Sequence, residues 1–305
     1  MRFRSIVFIF CALCVPLLAA CSPKEPPAPA KKPAAEKLEF GLIPEQNLFR
    51  QIERYEPLGE YLFKKTGIKI TFKVLPRYGN IIDSFKTGGM DGAFFGSFTY
   101  ALAHAKLGVE VLARPVAPDN TSTYHGMIFV RKDSPIRTAR DMKGKRFAFV
   151  DKATTAGYLL PLDYFHEHGI ADYKSYLKET YFTGTHEDAI YDVLNRKADI
   201  GAAKNTVFQR LASENPRIPE ELVVLDRSPD VPENALALRK DIAVTVRNLL
   251  KDSLLTMHLD PEGKKVLEGF GALKFIETTN QDYVTVLKYA EEIHLDLATY
   301  EYLNN

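Results

Sequence analysis

RFAFVDKATTAGYLLPLDYF, residues 146–165, decides the fold. Arg146–Val150 is an apolar run of strand length, and Leu159, Leu160, Leu162 and Phe165 follow with helical spacing. Between them, Asp151-Lys152-Ala153-Thr154-Thr155-Ala156-Gly157 places two hydroxyls and a glycine on a strand-to-helix turn. Ligands of open α/β sheets bind at such carboxyl ends of strands. Hydroxyls and free N–H groups there can cradle an anion, assisted by the helix dipole. The same residues also suit a plain N-cap, and the local pattern leaves both readings open.

The rhythm repeats on either side. The clearest expected strands are Leu38–Ile43, Lys69–Leu75, Gly92–Phe95, Met127–Val130, Thr180–Thr183, Ile200–Ala203 and Leu222–Leu225. Helical spacing falls between them, as in Ile81/Ile82/Phe85 and Ala189/Ile190/Val193/Leu194. This alternation predicts an α/β protein with mostly parallel sheets and helices on both faces. Beyond it, Asp241 is expected to cap a helix through Ile242, Val246, Leu249, Leu250 and Leu254, and a final helix is expected over about Gln281–Leu303. The expected whole is two α/β lobes with a helical C-terminal segment packed back on the first.

Two further turns copy the first. Asp91–Phe95 leads into Gly96-Ser97-Phe98-Thr99-Tyr100, and Tyr181–Thr183 leads into Gly184-Thr185-His186-Glu187-Asp188. Thr185 is positioned to cap a helix, and His186 in its first turn is either structural or a donor to an oxyanion. Three such turns can converge on one cleft that binds a small oxyanion.

Catalytic signatures are missing. His166 and His168, two apart on a helix, point away from each other and suit no metal site. No GxSxG, Walker or HExxH pattern occurs, and Glu291/Glu292 read as a solvated helix face. The balance points to binding rather than catalysis, with no cofactor and no metal.

The N-terminus reads as a lipoprotein signal. Arg2 and Arg4 precede an apolar run from Ile6 to Leu18, and Leu18-Ala19-Ala20-Cys21 suits lipoprotein signal peptidase. Cleavage after residue 20 makes Cys21 a lipidated N-terminus; the alternative is an ordinary secretory signal with an incidental cysteine. Cys11 and Cys14 leave with the signal, so the mature chain keeps no disulfide framework. Removing Arg2 and Arg4 also leaves the basic residues one short of the 39 acidic ones, which argues against a nucleic-acid partner. Residues 21–37, rich in Pro, Ala and Lys, form a spacer reaching roughly 50 Å at about 3.1 Å per residue.

The ordered features resemble the substrate-binding lipoproteins of phosphate/phosphite/phosphonate ABC importers. The resemblance is carried by Gly41-Leu42-Ile43-Pro44, by YEPLGEYL at 55–62, by Arg77-Tyr78 and by MDGAFFG at 90–96 with Tyr100. Tyr124, DMKGKRFAF at 141–149 and GTHEDAI at 184–190 complete it. It covers about Leu38–Asp241.

The resemblance implies a two-lobed periplasmic-binding-protein-like fold of type II, with lobe 1 from 38–124 plus 230–305 and lobe 2 from 125–229. It implies a monomer that closes on a small oxyanion and delivers it to an ABC permease in the inner membrane. Thr154, Thr155, Ala156, Gly157 and His186 would hold the oxyanion, with Tyr78, Ser97, Tyr100 and Tyr124 as walls. Against the family pattern, Ala156 lacks a hydroxyl and Ser97 adds a donor. A carboxylate used against a ligand ammonium would fall at about Asn234, with Glu233 adjacent. Rival expectations are a sensor component feeding a histidine kinase or chemoreceptor, an enzyme on the same fold, and a lipid-anchored scaffold.

Overall fold

The computed structural model describes residues 36–45 and 47–304. The expected signal, Cys21 and nearly all of the spacer lie outside the described residues. In chain order the strands are β1 (Lys37–Leu42), β2 (Lys69–Val74), β3 (Gly92–Phe95), β4 (Glu110–Val116), β5 (Thr123–Tyr124) and β6 (Gly126–Arg131). They continue as β7 (Arg146–Phe149), β8 (Glu179–Phe182), β9 (Ile200–Lys204), β10 (Leu222–Arg227), β11 (Val231–Pro232), β12 (Ala235–Leu238) and β13 (Lys274–Glu277). All eight expected strands are present within a residue or two of their ends.

They build a six-stranded sheet, β13-β4-β12-β3-β1-β2, and a five-stranded sheet, β10-β6-β9-β7-β8. The short β5 and β11 pair antiparallel between them, where the chain passes from one lobe to the other and back. Each sheet has two parallel ladders, β1 with β2 and β3, and β7 with β8 and β9. The remaining ladders are antiparallel, so the expectation of mostly parallel sheets is corrected to mixed ones. The reason lies in the crossings. β6 and β12 each enter a sheet straight from the β5–β11 ribbon and therefore run against strands whose carboxyl ends face that ribbon.

Burial explains why these segments are strands. β3, β6, β9 and β12 are buried at every residue, as central strands covered on both faces must be. Helix Leu48–Thr66 covers β1 and β2 through Tyr55, Leu58, Tyr61 and Leu62. On the second sheet, Ile190, Val193 and Leu194 of helix His186–Leu194 pack on Phe129 and Ala148.

Two helical expectations need correction. Asp241 does not cap a helix: its carboxylate accepts from Arg239, and the helix starts at Val244. The terminal helix spans only Val284–Glu292, after a tight turn at Asn280–Tyr283. It ends because His294 takes φ 58°, and Leu295 N–H turns back to the Ala290 carbonyl. The tail then runs to Asn304, tied to the second lobe by Tyr300 Oη donating to Lys152 O and Asn304 Nδ2 donating to Asp151.

Candidate functional site

The carboxyl ends of all six parallel strands meet across one interface. From the first sheet come Glu45 after β1, Tyr78 after β2 and Ser97 after β3; from the second come Thr154–Gly157 after β7, His186 after β8 and Lys204 at the end of β9. Tyr124 on β5 and Glu233 and Asn234 after β11 fill the hinge side. The helices Ser97–Leu107, His186–Leu194 and Asn205–Glu214 all begin at this interface.

The turn after β7 differs from a simple cap. Thr155–Leu159 is one wide π-type turn, a local feature common at functional sites, and Thr154 makes no side-chain cap bond. Thr154 Oγ1 instead donates to Asp151 O at 2.7 Å, and Thr155 Oγ1 accepts the Phe98 N–H from the opposite lobe at 2.8 Å. Thr99 Oγ1 donates to Ala153 O at 2.7 Å beside it. Gly157 is required by packing: a Cβ there would lie 2.4 Å from Val150 Cβ, while its carbonyl accepts Val150 N–H. Ala156 lies close against Gly126. These bonds hold the two lobes together in a closed arrangement.

Around the turn stand polar side chains removed from water. Ser97 Oγ donates to Pro232 O at 2.5 Å, and the buried Tyr124 stands on the hinge strand β5, opposite Val231 of the strand that carries Pro232. His186 is only 4 % exposed, and burial pushes its pKa down to about 4, so the imidazole is neutral at pH 7. Its Nδ1 faces the Lys204 N–H at 3.3 Å and therefore accepts, which leaves the proton on Nε2 as a donor. Tyr78 stands edge-on to the His186 ring, with centroids 6.1 Å apart. Its hydroxyl is buried and has no hydrogen-bond partner among the described residues. Asp151 below the turn is pushed up to about 6 by burial, against hydrogen bonds from Ala153 and Asn304.

Most of the expected site residues come together: Tyr78, Ser97, Tyr124, Thr154, Thr155, Ala156, Gly157, His186 and Glu233 all lie at the interface. Tyr100 does not. Its ring packs on Tyr283 at 4.4 Å and its hydroxyl reaches Asn280, because one helical turn past Ser97 the side chain points into the first lobe. Lys204 and Glu45 were not singled out from the sequence. Lys204 stands at the end of Ile200–Ala203, a fourth strand end, and the same strand-end rule applied once more finds it.

Lys204 is a buried cation between the lobes. Its Nζ pairs with Glu45 at 3.1 Å and more closely with Glu233, and it lies 3.3 Å from Asn234 Oδ1. Burial opposes charge on both Glu45 and Lys204, but their mutual attraction, with Glu233 on the lysine side, outweighs it. The carboxyl of Glu45 is accordingly held below its usual range and the lysine above its own. A cavity of about 320 Å³ opens onto this group, walled in part by Arg54 and Arg210. Among the described residues no cluster of three or more His, Cys, Asp or Glu suits a metal ion, and no helix is long and apolar enough to cross a membrane.

Two sheets with matching strand ends across a hinge ribbon define the class of two-lobed periplasmic binding proteins. A family model described as ABC transporter, phosphonate, periplasmic substrate-binding protein matches residues 40–283, and the chain belongs to that family. It is 28% identical over 269 residues to the phosphonates-binding periplasmic protein of Escherichia coli, covering 86% of this chain and 79% of that one. It is 30% identical over 213 residues to a phosphate-import protein of Mycolicibacterium smegmatis, covering 65% of each. A structure of a Prochlorococcus marinus protein in complex with methylphosphonate superposes with a TM-score of 0.75 at 20% identity, covering 85% of this chain and 99% of that one. The family serves transport rather than catalysis, works with an ABC importer, and implies an extracytoplasmic location.

Proposed function

We propose that this protein captures a small phosphorus oxyanion, whether phosphate, phosphite or a short alkylphosphonate, and hands it to an ABC permease. The observation that carries the reading is the buried Tyr78 hydroxyl, a donor without a partner among the described residues, beside the neutral donor His186. A buried unpaired donor costs about 1–3 kcal/mol, and an anion accepting from it recovers that cost. With Tyr78 on one lobe, Thr155 on the other and Tyr124 on the hinge ribbon supplying hydroxyls, ligand contact and lobe closure are one event.

In this reading residues 38–124 and 230–305 form one lobe and 125–229 the other, moving about Thr123–Tyr124 and Val231–Pro232. The protein works as a monomer, tethered through lipidated Cys21 with the spacer holding it off the membrane. Replacing Cys21 with alanine then releases the protein into the soluble fraction.

The test is thermal stability of refolded, ligand-stripped protein against phosphate, phosphite, methylphosphonate, 2-aminoethylphosphonate and sulfate. A ligand at 1,000 times its Kd adds about 4 kcal/mol, a shift of several degrees for a chain of this size. A flat panel refutes the oxyanion reading.

A further inference from the structure

Lys204 ends β9 at the floor of the cleft, and its ammonium is enclosed on every side. Glu45 accepts from Nζ at 3.1 Å, Glu233 accepts more closely, Asn234 Oδ1 accepts at 3.3 Å, and the Tyr124 ring centroid lies 4.3 Å away. An ammonium has three N–H donors, which these three acceptors match in number, and the aromatic face lies against the charged group beside them. The side chain of Lys204 is 4% exposed. Two carboxylates, an amide oxygen and a ring face make a binding site for an alkylammonium group, and here the chain's own lysine occupies it.

The cage adjoins the place where an oxyanion would be held. Tyr124 covers Lys204 with its ring and packs in one buried cluster with Ala153 and Ala156 of the turn after β7. The Lys204 backbone N–H faces His186 Nδ1. We propose that Lys204 is the specificity-determining residue of this cleft: its ammonium fills the cation subsite, so the cleft accepts bare oxyanions and rejects those that carry an ammonium group. This rests on the oxyanion reading above.

Two charge arguments support it. With Lys204 in place, a second ammonium meets carboxylates already paired with the lysine through Oε1, and it meets a like charge. Without Lys204, the buried Glu45 and the half-buried Glu233 would be two carboxylates repelling a bare anion, and a ligand bringing its own cation would offset them.

The experiment titrates full-length wild type, Lys204→Met and Lys204→Arg with methylphosphonate and 2-aminoethylphosphonate by calorimetry at pH 7. Wild type and Lys204→Arg are expected to prefer methylphosphonate at least tenfold. Lys204→Met is expected to move that ratio at least tenfold toward the amino compound. If wild type binds methylphosphonate and the ratio does not move in Lys204→Met, or that variant folds and binds neither compound, the inference falls and the oxyanion reading stands. Should Lys204→Met fail to fold, the wild-type ratio decides, because equal affinity for the two compounds overturns the inference by itself. If wild type binds no oxyanion of the panel, both readings fall together.

Discussion

Thr155→Val tests how closure is held. The Thr155 oxygen accepts the buried Phe98 N–H at 2.8 Å across the interface, at the first turn of helix Ser97–Leu107. Valine keeps the shape and removes the acceptor, so the N–H is stranded in the closed form and hydrated in the open one. Leaving a buried donor unpaired costs about 1–3 kcal/mol, which is about a 5- to 150-fold loss in the closed-to-open ratio. Because the ligand is held by residues from both lobes, its apparent Kd rises by up to the same factor, the full value applying where the open form predominates without ligand. Calorimetric titration with methylphosphonate reads the affinity, and small-angle scattering of ligand-free protein reads the compactness. Thr155→Ser keeps the oxygen and is expected to stay within a few-fold of wild type. An unchanged Kd in Thr155→Val, or equal damage from serine and valine, refutes the reasoning.

Three further outcomes follow from the same geometry. Tyr78→Phe removes a donor that has no partner among the described residues, so oxyanion affinity is expected to fall at least fivefold while the ligand-free melting temperature holds or rises; a matching loss of both would mark the tyrosine as purely structural. Gly157→Ala drives a Cβ to 2.4 Å from Val150 Cβ, and overpacking of this kind costs about 1–3 kcal/mol, read as a lower urea midpoint at unchanged slope. Asp151 has a folded pKa of about 6 above an ordinary 3.8, so its contribution to stability is full below about pH 3.8 and is lost as pH rises through about 6. Asp151→Asn removes that loss, and its unfolding free energy relative to wild type should climb by about 2 kcal/mol between pH 4 and 7. His186 has the opposite sign, since its pKa falls from 6.5 to about 4 and stability is lost as pH drops through that window. The two terms oppose each other between about pH 4 and 6, and a pH-independent difference between Asp151→Asn and wild type would contradict the assignment.

The strand ends were readable because each joins an apolar run to small or hydroxylic residues, both local signals. That is why Ser97, Thr154–Gly157 and His186 could be placed from sequence. Tyr100 was misplaced because its orientation depends on Tyr283, which arrives from far along the chain to pack against it. Lys204 gave no local sign of burial, since a lysine at a strand end usually reaches solvent; Glu45 and Glu233, which neutralise it, are distant in sequence. The strand β12, Ala235–Leu238, alternates two helix-favouring residues, and only its place between β3 and β4 makes it extended. The terminal helix pattern ran on past Glu292 because apolar spacing persists there, while the backbone reversal at His294 carries no periodic signature.

The two sheets share one strand order, with β2-β1-β3-β12-β4 matched by β8-β7-β9-β6-β10. In the first, among the described residues, β12 is the only link between the β3-β1-β2 group and the β4-β13 pair. Residues 126–227 supply every strand of the second sheet in one unbroken stretch, whereas the first sheet stays in two pieces until the chain beyond Val231 has arrived. The order of assembly is therefore built into the connectivity. As the polypeptide emerges amino end first from a ribosome or a translocation channel, the later-encoded sheet can close before the earlier one, and β3 and β4, made before any strand of the second sheet, find their last neighbours only after it is complete.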